Sequence, residues 1–323
     1  MERTPLGATG ESVSALCLGT MYFGSRIDRE TSFALLDRYY EAGGRFLDTA
    51  NNYATWVDGH EEPASEPLVG DWLEERGVRD EMTIATKVGG GHATPRTLDP
   101  EVTKEAVAGC RERLGIDTID LLYTHVDDPD TPQVEAMAAL ADLVDDGAVR
   151  HLGASNVPAW RLARANRIAA ERDWPRYECV QPRFSYLIPD RDADFGIQLP
   201  ATDELIDYCG QADLSVAPYS PTLQGCYGRS DRPIPEGYVR TENRLKMRAI
   251  RDVAERAGVD GNAVALAWML ERDQPTVPVV GCSTVAQLEA NLDALDVSFS
   301  DAEWGRLTGI ESYGLGEWNH RAE

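Results

Sequence analysis

The stretch Ile119-Asp-Leu-Leu-Tyr-Thr-His125 is a short apolar run that ends in an imidazole, and Val149-Arg-His-Leu-Gly-Ala154 is a second such run. Between them, Thr131–Asp145 carries apolar residues at three- and four-residue spacing, the pattern of a helix with one buried face. Strand, helix, strand in this order implies a crossover and hence a parallel pair. The alternation extends in both directions. Toward the N-terminus the expected strands are Ala15–Leu18, Arg45–Leu47 and Thr83–Thr86, and toward the C-terminus Glu178–Gln181, Ser215–Pro218 and Thr276–Val280. Helices are expected over Glu30–Ala42, Ser65–Arg76, Asp99–Leu114, Ala159–Glu171, Thr202–Gly210, Arg244–Ala257 and Val285–Ala294, which completes eight units. Eight units favour a closed (β/α)8 TIM barrel over an open doubly wound sheet.

A hairpin from Thr4 to Val13, turning at Gly7 to Gly10, is expected to precede the first unit. An extra helix over Asn262–Arg272 precedes the last strand, and Asp301 to Glu323 reads as a helix followed by irregular chain. Thr31 and Ser65 look like helix starts, with Gly43 and Gly77 as the matching stops. No repeat, low-complexity run or linker divides the sequence, so residues 1–323 read as one domain. That length is ordinary for one barrel with loop insertions.

A hydrophobic content of 42% supports a sizeable core. No apolar run approaches the roughly 20 residues that span a bilayer, and the start Met-Glu-Arg-Thr-Pro-Leu-Gly lacks a signal-peptide layout. The expectation is a cytoplasmic protein. Six scattered cysteines without a Cys-x-x-Cys pair suggest reduced, mostly buried thiols. The net charge of −24 argues against nucleic-acid and anionic-membrane partners. Lysine occurs only at Lys87, Lys104 and Lys246, and scarce lysine with strong acidity resembles proteins of halophilic, salt-loving organisms. At molar salt the Debye length is about 3 Å, which suppresses self-repulsion.

Four polar residues stand at or just beyond expected strand ends: Asp48 and Tyr53 in Phe46-Leu-Asp-Thr-Ala-Asn-Asn-Tyr53, Lys87 after Thr83-Ile-Ala-Thr, and His125. In a parallel barrel those ends gather at one rim. A phenol is a poor acid, with an ordinary pKa of about 10, but a neighbouring ammonium favours its phenolate. Such a cluster can protonate a carbonyl oxygen as hydride reaches its carbon.

The set resembles the catalytic tetrad of the aldo-keto reductases, whose Asp-Thr-Ala-x-x-Tyr segment is matched by Asp48 to Tyr53. The resemblance implies Tyr53 as general acid in reduction and base in oxidation, Lys87 lowering its pKa, Asp48 orienting Lys87, and His125 positioning the carbonyl oxygen. It also implies cofactor contacts. Ser155, Asn156 and Gln181 match residues that hydrogen-bond the nicotinamide carboxamide, for which amides offer both donor and acceptor. Tyr219-Ser220-Pro221 matches a segment whose ring stacks on the nicotinamide, with Thr222 departing from the usual Leu. Ser155-Asn156 also reads as a helix cap before Pro158.

Gly281, Ser283, Thr284, Gln287 and Asn291 match the region that binds adenosine and its 2′-phosphate. NADP(H) is therefore implied, while the lack of Lys or Arg at Gly281 and Gln287 keeps NAD(H) as the alternative; Arg229 and Arg240 are further candidates to reach phosphates. Gly19, Thr20 and Met21 fall in the first strand-end loop, used by the family for cofactor, and Tyr22 and Trp56 are expected substrate walls beside Tyr53 and His125. A Rossmann site is not expected, because Gly89-Gly90-Gly91 is followed by Thr94 where a third spaced glycine is needed. Asp58-Gly-His60-Glu61-Glu62 reads as a solvated acidic loop, and no metal site is expected.

The implied function is an NADP(H)-dependent oxidoreductase acting on a small carbonyl or alcohol. A cofactor-sensing subunit with slow turnover, as in the potassium-channel β-subunits that resemble this family, is the alternative.

Overall fold

A computed structural model describes residues 1–309. Among them, a short antiparallel hairpin, β1 (Arg3–Pro5) and β2 (Ser12–Ser14), precedes an eight-stranded parallel sheet. Its strands are β3 (Cys17–Gly19), β4 (Phe46–Asp48), β5 (Thr83–Val88), β6 (Ile119–Thr124), β7 (Val149–Ser155), β8 (Tyr177–Gln181), β9 (Ser215–Val216) and β10 (Val279–Gly281). From β3 to β9 each pairs with its neighbour in chain order, and β10 returns to pair with β3. The curled sheet brings β9 back to the segment leading into β10, where Val216 N donates to Pro275 O and Val277 N donates to Val216 O, both at 2.8 Å. Helices α1 (Arg29–Glu41), α2 (Ser65–Arg76), α3 (Pro100–Leu114), α4 (Gln133–Asp145), α5 (Ala159–Ala170), α6 (Asp203–Gln211), α7 (Thr241–Ala257) and α8 (Gly261–Leu270) occupy the crossovers, and α9 (Val285–Leu292) and α10 (Asp301–Thr308) follow the last strand.

Alternation along each strand sorts side chains into two layers. Leu47, Ile84, Leu122 and Val180 join the apolar layer shared with the helices, whereas Phe46, Ala85, Leu121, Tyr123 and Cys179 fill the inside of the curl. Leu6 and Val13 of the hairpin region belong to that inner cluster, and Ser215 Oγ donates to Pro5 O at 2.7 Å. Gly153 is required there. A Cβ at this position would stand 2.5 Å from the Tyr123 ring, so the bare backbone makes room for that phenol. The same parity that points Phe46, Ala85 and Cys179 inward points Asp48, Lys87 and Gln181 inward two residues later, at the C-terminal rim.

Several expected boundaries move. The first strand is Cys17–Gly19 instead of Ala15–Leu18, because its register is set by pairing Cys17 with Val279 of β10. The last strand starts at Val279, and β9 stops at Val216, two residues before Pro218, which has no N–H to donate. Helix α1 is capped by Asp28, whose Oδ1 accepts from Thr31 N at 2.8 Å, so Thr31 lies inside the first turn. Ser65 is the first residue of α2 and not its cap; Gly77, with φ 65°, does end that helix. Helix α10 accounts for the start of the tail, and the irregular chain expected beyond it lies outside the described residues.

Candidate active site

Lys87 has no exposed surface, so its ammonium must be satisfied by protein groups. Three acceptors surround it: Asp48 Oδ1 at 2.5 Å, the Thr49 carbonyl at 2.7 Å and the Tyr53 hydroxyl at 2.8 Å. Asp48 Oδ2 accepts from Gln181 Nε2 at 2.8 Å, so the carboxylate is held from both sides. The His125 ring meets the Tyr53 ring edge-on with centroids 6.1 Å apart, and Trp56 makes a similar contact with Tyr53 on its own side, also at 6.1 Å. The four residues expected to converge are thus brought together.

Electrostatics follow from burial. Burial alone would lower the Lys87 pKa, but Asp48 and Tyr53 outweigh it and hold the ammonium charged. Burial pushes the Tyr53 phenol up to about 12, against the downward pull of Lys87. The Lys87 ammonium acts in the expected direction, and desolvation of the phenolate is larger. Burial, with Lys87 and His92 nearby, pulls His125 down to about 3, so the imidazole is neutral. Its Nδ1 is buried without a hydrogen-bond partner.

The neighbouring rim supplies amides and hydroxyls. Gly281, Gly19 and Asp48 sit side by side in register across β10, β3 and β4. Asn156, at φ 50°, donates to the His125 carbonyl at 3.0 Å and accepts from the Tyr219 hydroxyl at 2.7 Å and from Leu199 N at 3.0 Å. Ser155 Oγ donates to the Gln181 carbonyl at 2.8 Å. Helix α5 has Pro158 as its cap residue and no side-chain cap, so Ser155 and Asn156 serve the rim and not that helix. Ser220 also has positive φ, 56°, directly after Tyr219 and before Pro221. Asn156 and Ser220 thus place two left-handed non-glycine residues, which store backbone strain, at this rim.

Thr20 is buried behind Asp48, and Met21 is exposed beside Tyr22, whose ring is covered by the Arg26 guanidinium at 4.6 Å. Thr284 caps α9, accepting from Gln287 N at 3.2 Å, and Gln287 Oε1 accepts from Ser283 N at 2.8 Å. Asn291 turns inward and donates to Cys282 Sγ at 3.3 Å. Arg229 is engaged by Asp231, and Arg240 by Pro189 O and Glu242. No cluster of three or more metal-ligating side chains occurs among the described residues, the His60 loop included.

A model of the Aldo/keto reductase family matches residues 15–312. The chain belongs to that family. This aldo-keto reductase is similar to a norsolorinic acid reductase of Emericella nidulans, 36% identical over 91% of this chain and 77% of the relative. It is similar also to an NADP(+) aryl-alcohol dehydrogenase of Phanerodontia chrysosporium, 29% identical over 95% of this chain and 85% of the relative. Among solved structures it resembles a thermostable aldo-keto reductase in complex with the inhibitor epalrestat, with TM-score 0.76, 25% identity, and coverage of 96% of this chain and 100% of that one.

Sequence reading of this aldo-keto reductase missed four residues that shape the site. Gly90 lies against His125, Asn52 Nδ2 donates to the Gly91 carbonyl at 3.2 Å beside it, His92 meets Trp56 at a tilt with centroids 5.2 Å apart, and Ser65 of α2 accepts from Thr49 behind Asp48. The triple glycine at 89–91 is the visible signal for the first group, because a bare backbone at Gly90 leaves room for the strand-end imidazole of His125. No helix among the described residues is long and apolar enough to cross a membrane.

Proposed function

We propose that this aldo-keto reductase is an NADP(H)-dependent carbonyl reductase and alcohol dehydrogenase, a single (β/α)8 barrel domain acting in the cytoplasm. One observation carries the reading: the Lys87 ammonium touches the Tyr53 hydroxyl at 2.8 Å and the Asp48 carboxylate at 2.5 Å at one strand-end rim. The Gln181 amide beside Asp48, the Tyr219 ring and the Ser283-Thr284 start of α9 suit a nicotinamide dinucleotide, whose carboxamide takes amide partners and whose phosphates favour a helix N-terminus, while Asn156 holds the Tyr219 hydroxyl and the His125 carbonyl in place. When bound, that cofactor supplies or takes up hydride at C4 of the nicotinamide.

The chain's own residues manage the oxygen. Neutral His125 holds the substrate carbonyl in place, and Tyr53 gives its proton to the oxygen as the carbon is reduced. Lys87 stabilises the phenolate left behind, and Asp48 keeps Lys87 aligned. With the phenol pushed up to about 12, Tyr53 carries its proton at neutral pH, which suits reduction; alcohol oxidation, needing the phenolate, rises toward high pH. The rings of Tyr53, Trp56 and His92 at the mouth, together with the aryl-alcohol dehydrogenase relative, favour aryl aldehydes and ketones as substrates.

The test is fluorescence titration with NADPH and NADH followed by NADPH consumption with a panel of aryl and alkyl aldehydes. Steady turnover with aryl aldehydes supports the reading. Tight NADPH binding without turnover on any member would favour the cofactor-sensing alternative.

A further inference from the structure

Behind the tetrad lies a closed group of three hydroxyls. Ser65, the first residue of α2, has no exposed surface; neither have Thr20 and Thr49. Ser65 Oγ donates to the Thr20 carbonyl at 2.8 Å, Thr49 Oγ1 donates to Ser65 Oγ at 2.9 Å, and Thr20 Oγ1 stands 2.7 Å from Ser65 Oγ and 3.0 Å from the Asp48 carbonyl. Three hydroxyl protons serve four contacts. Ser65 and Thr49 each spend theirs on one acceptor, so the Thr20 proton is shared between Ser65 and Asp48, and no hydroxyl is spare.

The peptide held by this group is the one that holds Lys87. Asp48 contributes its carboxylate and Thr49 its main-chain carbonyl, two of the three acceptors around the ammonium. The next residue of α2 grips the neighbouring strand: buried Glu66 accepts from Thr86 Oγ1 at 2.5 Å and from Arg113 Nε at 2.7 Å, and Thr86 precedes Lys87 in β5. The first two residues of α2, both fully buried, therefore fix both strands that meet at the ammonium.

We infer that Ser65 is a positioning residue of the reaction, acting through Thr49 and Thr20 to keep the Asp48–Thr49 peptide where it holds the Lys87 ammonium against the Tyr53 hydroxyl. Ser65 touches neither cofactor nor substrate. Its effect is on the acidity of Tyr53: a looser peptide lets the ammonium drift, the phenolate loses stabilisation, and the proton donor becomes weaker. The inference rests on the reading of Tyr53 as proton donor.

The experiment compares wild type, Ser65→Ala and Tyr53→Phe in NADPH-dependent reduction of an aryl aldehyde across alkaline pH. Ser65→Ala is expected to lower kcat about tenfold, leave NADPH affinity within about twofold, and move the alkaline limb of the rate profile upward by about half a pH unit or more. A lowered kcat with a superimposable pH profile would overturn the inference, because purely structural loosening leaves the acidity of Tyr53 unchanged. If Tyr53→Phe matches wild type, the proton-donor reading itself fails; if Tyr53→Phe is inactive while the Ser65→Ala profile is unmoved, only the role of Ser65 fails. Should Ser65→Ala not fold, Thr49→Val and Thr49→Ser decide the question. The shape-matched Val should shift the limb and Ser should restore it, and equal profiles for the two would contradict the inference.

Discussion

Gly90 lies directly against the His125 imidazole: a Cβ on residue 90 would overlap Nδ1 and stand 2.8 Å from Asn52 Nδ2. Gly90→Ala therefore has to displace the ring or the loop. We expect a stability loss of about 1–3 kcal/mol, as for other overpacked sites, and a larger fall in carbonyl reduction than in NADPH binding. Thermal melts and a kcat comparison check this. Unchanged kcat with intact folding would separate the orientation of His125 from turnover.

The neutral state of His125 gives a pH dependence with a definite sign. The native imidazole is pulled from 6.5 down to about 3, so between those values the unfolded chain binds more protons than the folded one. Its contribution to stability is complete above the unfolded value and is lost as pH falls toward 3. The thermal midpoint of wild type should fall more steeply than that of His125→Gln on acidification from about pH 7 to about pH 4. Parallel slopes would assign the acid sensitivity to other groups.

Gln287 sits exposed on the first turn of α9, where its carbonyl oxygen accepts only from Ser283 N. Gln287→Arg places a guanidinium beside the α9 start and should raise the NADPH over NADH affinity ratio by about fivefold at low salt, within the range of exposed charge pairs. The gain should shrink as salt rises. A ratio that does not move at low salt would place the adenosine phosphate elsewhere.

Much of the site was legible because strands and chemistry leave different marks. Apolar runs located the strands, and a lysine or carboxylate ending such a run had to emerge into a polar rim, as Asp48 and Lys87 do. What stayed hidden depends on groups distant in sequence. The start of β3 is fixed by pairing with β10, more than two hundred residues later, and local pattern placed it two residues early. Ser65 reads as a helix start, and only the fold shows its hydroxyl turned to Thr49. The raised pKa of Tyr53 comes from burial that no neighbouring residue in sequence reports, and the left-handed Asn156 is held by Leu199 and Tyr219 from later units.

The most direct test of the account is Tyr53→Phe, which keeps the ring against His125 and Trp56 and removes only the hydroxyl that Lys87 holds. NADPH-dependent reduction of an aryl aldehyde, measured with cofactor affinity on the same samples, is predicted to fall by roughly 10² or more while NADPH binding stays within about twofold. Turnover equal to wild type would contradict the assignment of Tyr53 as proton donor, and with it the proposed mechanism.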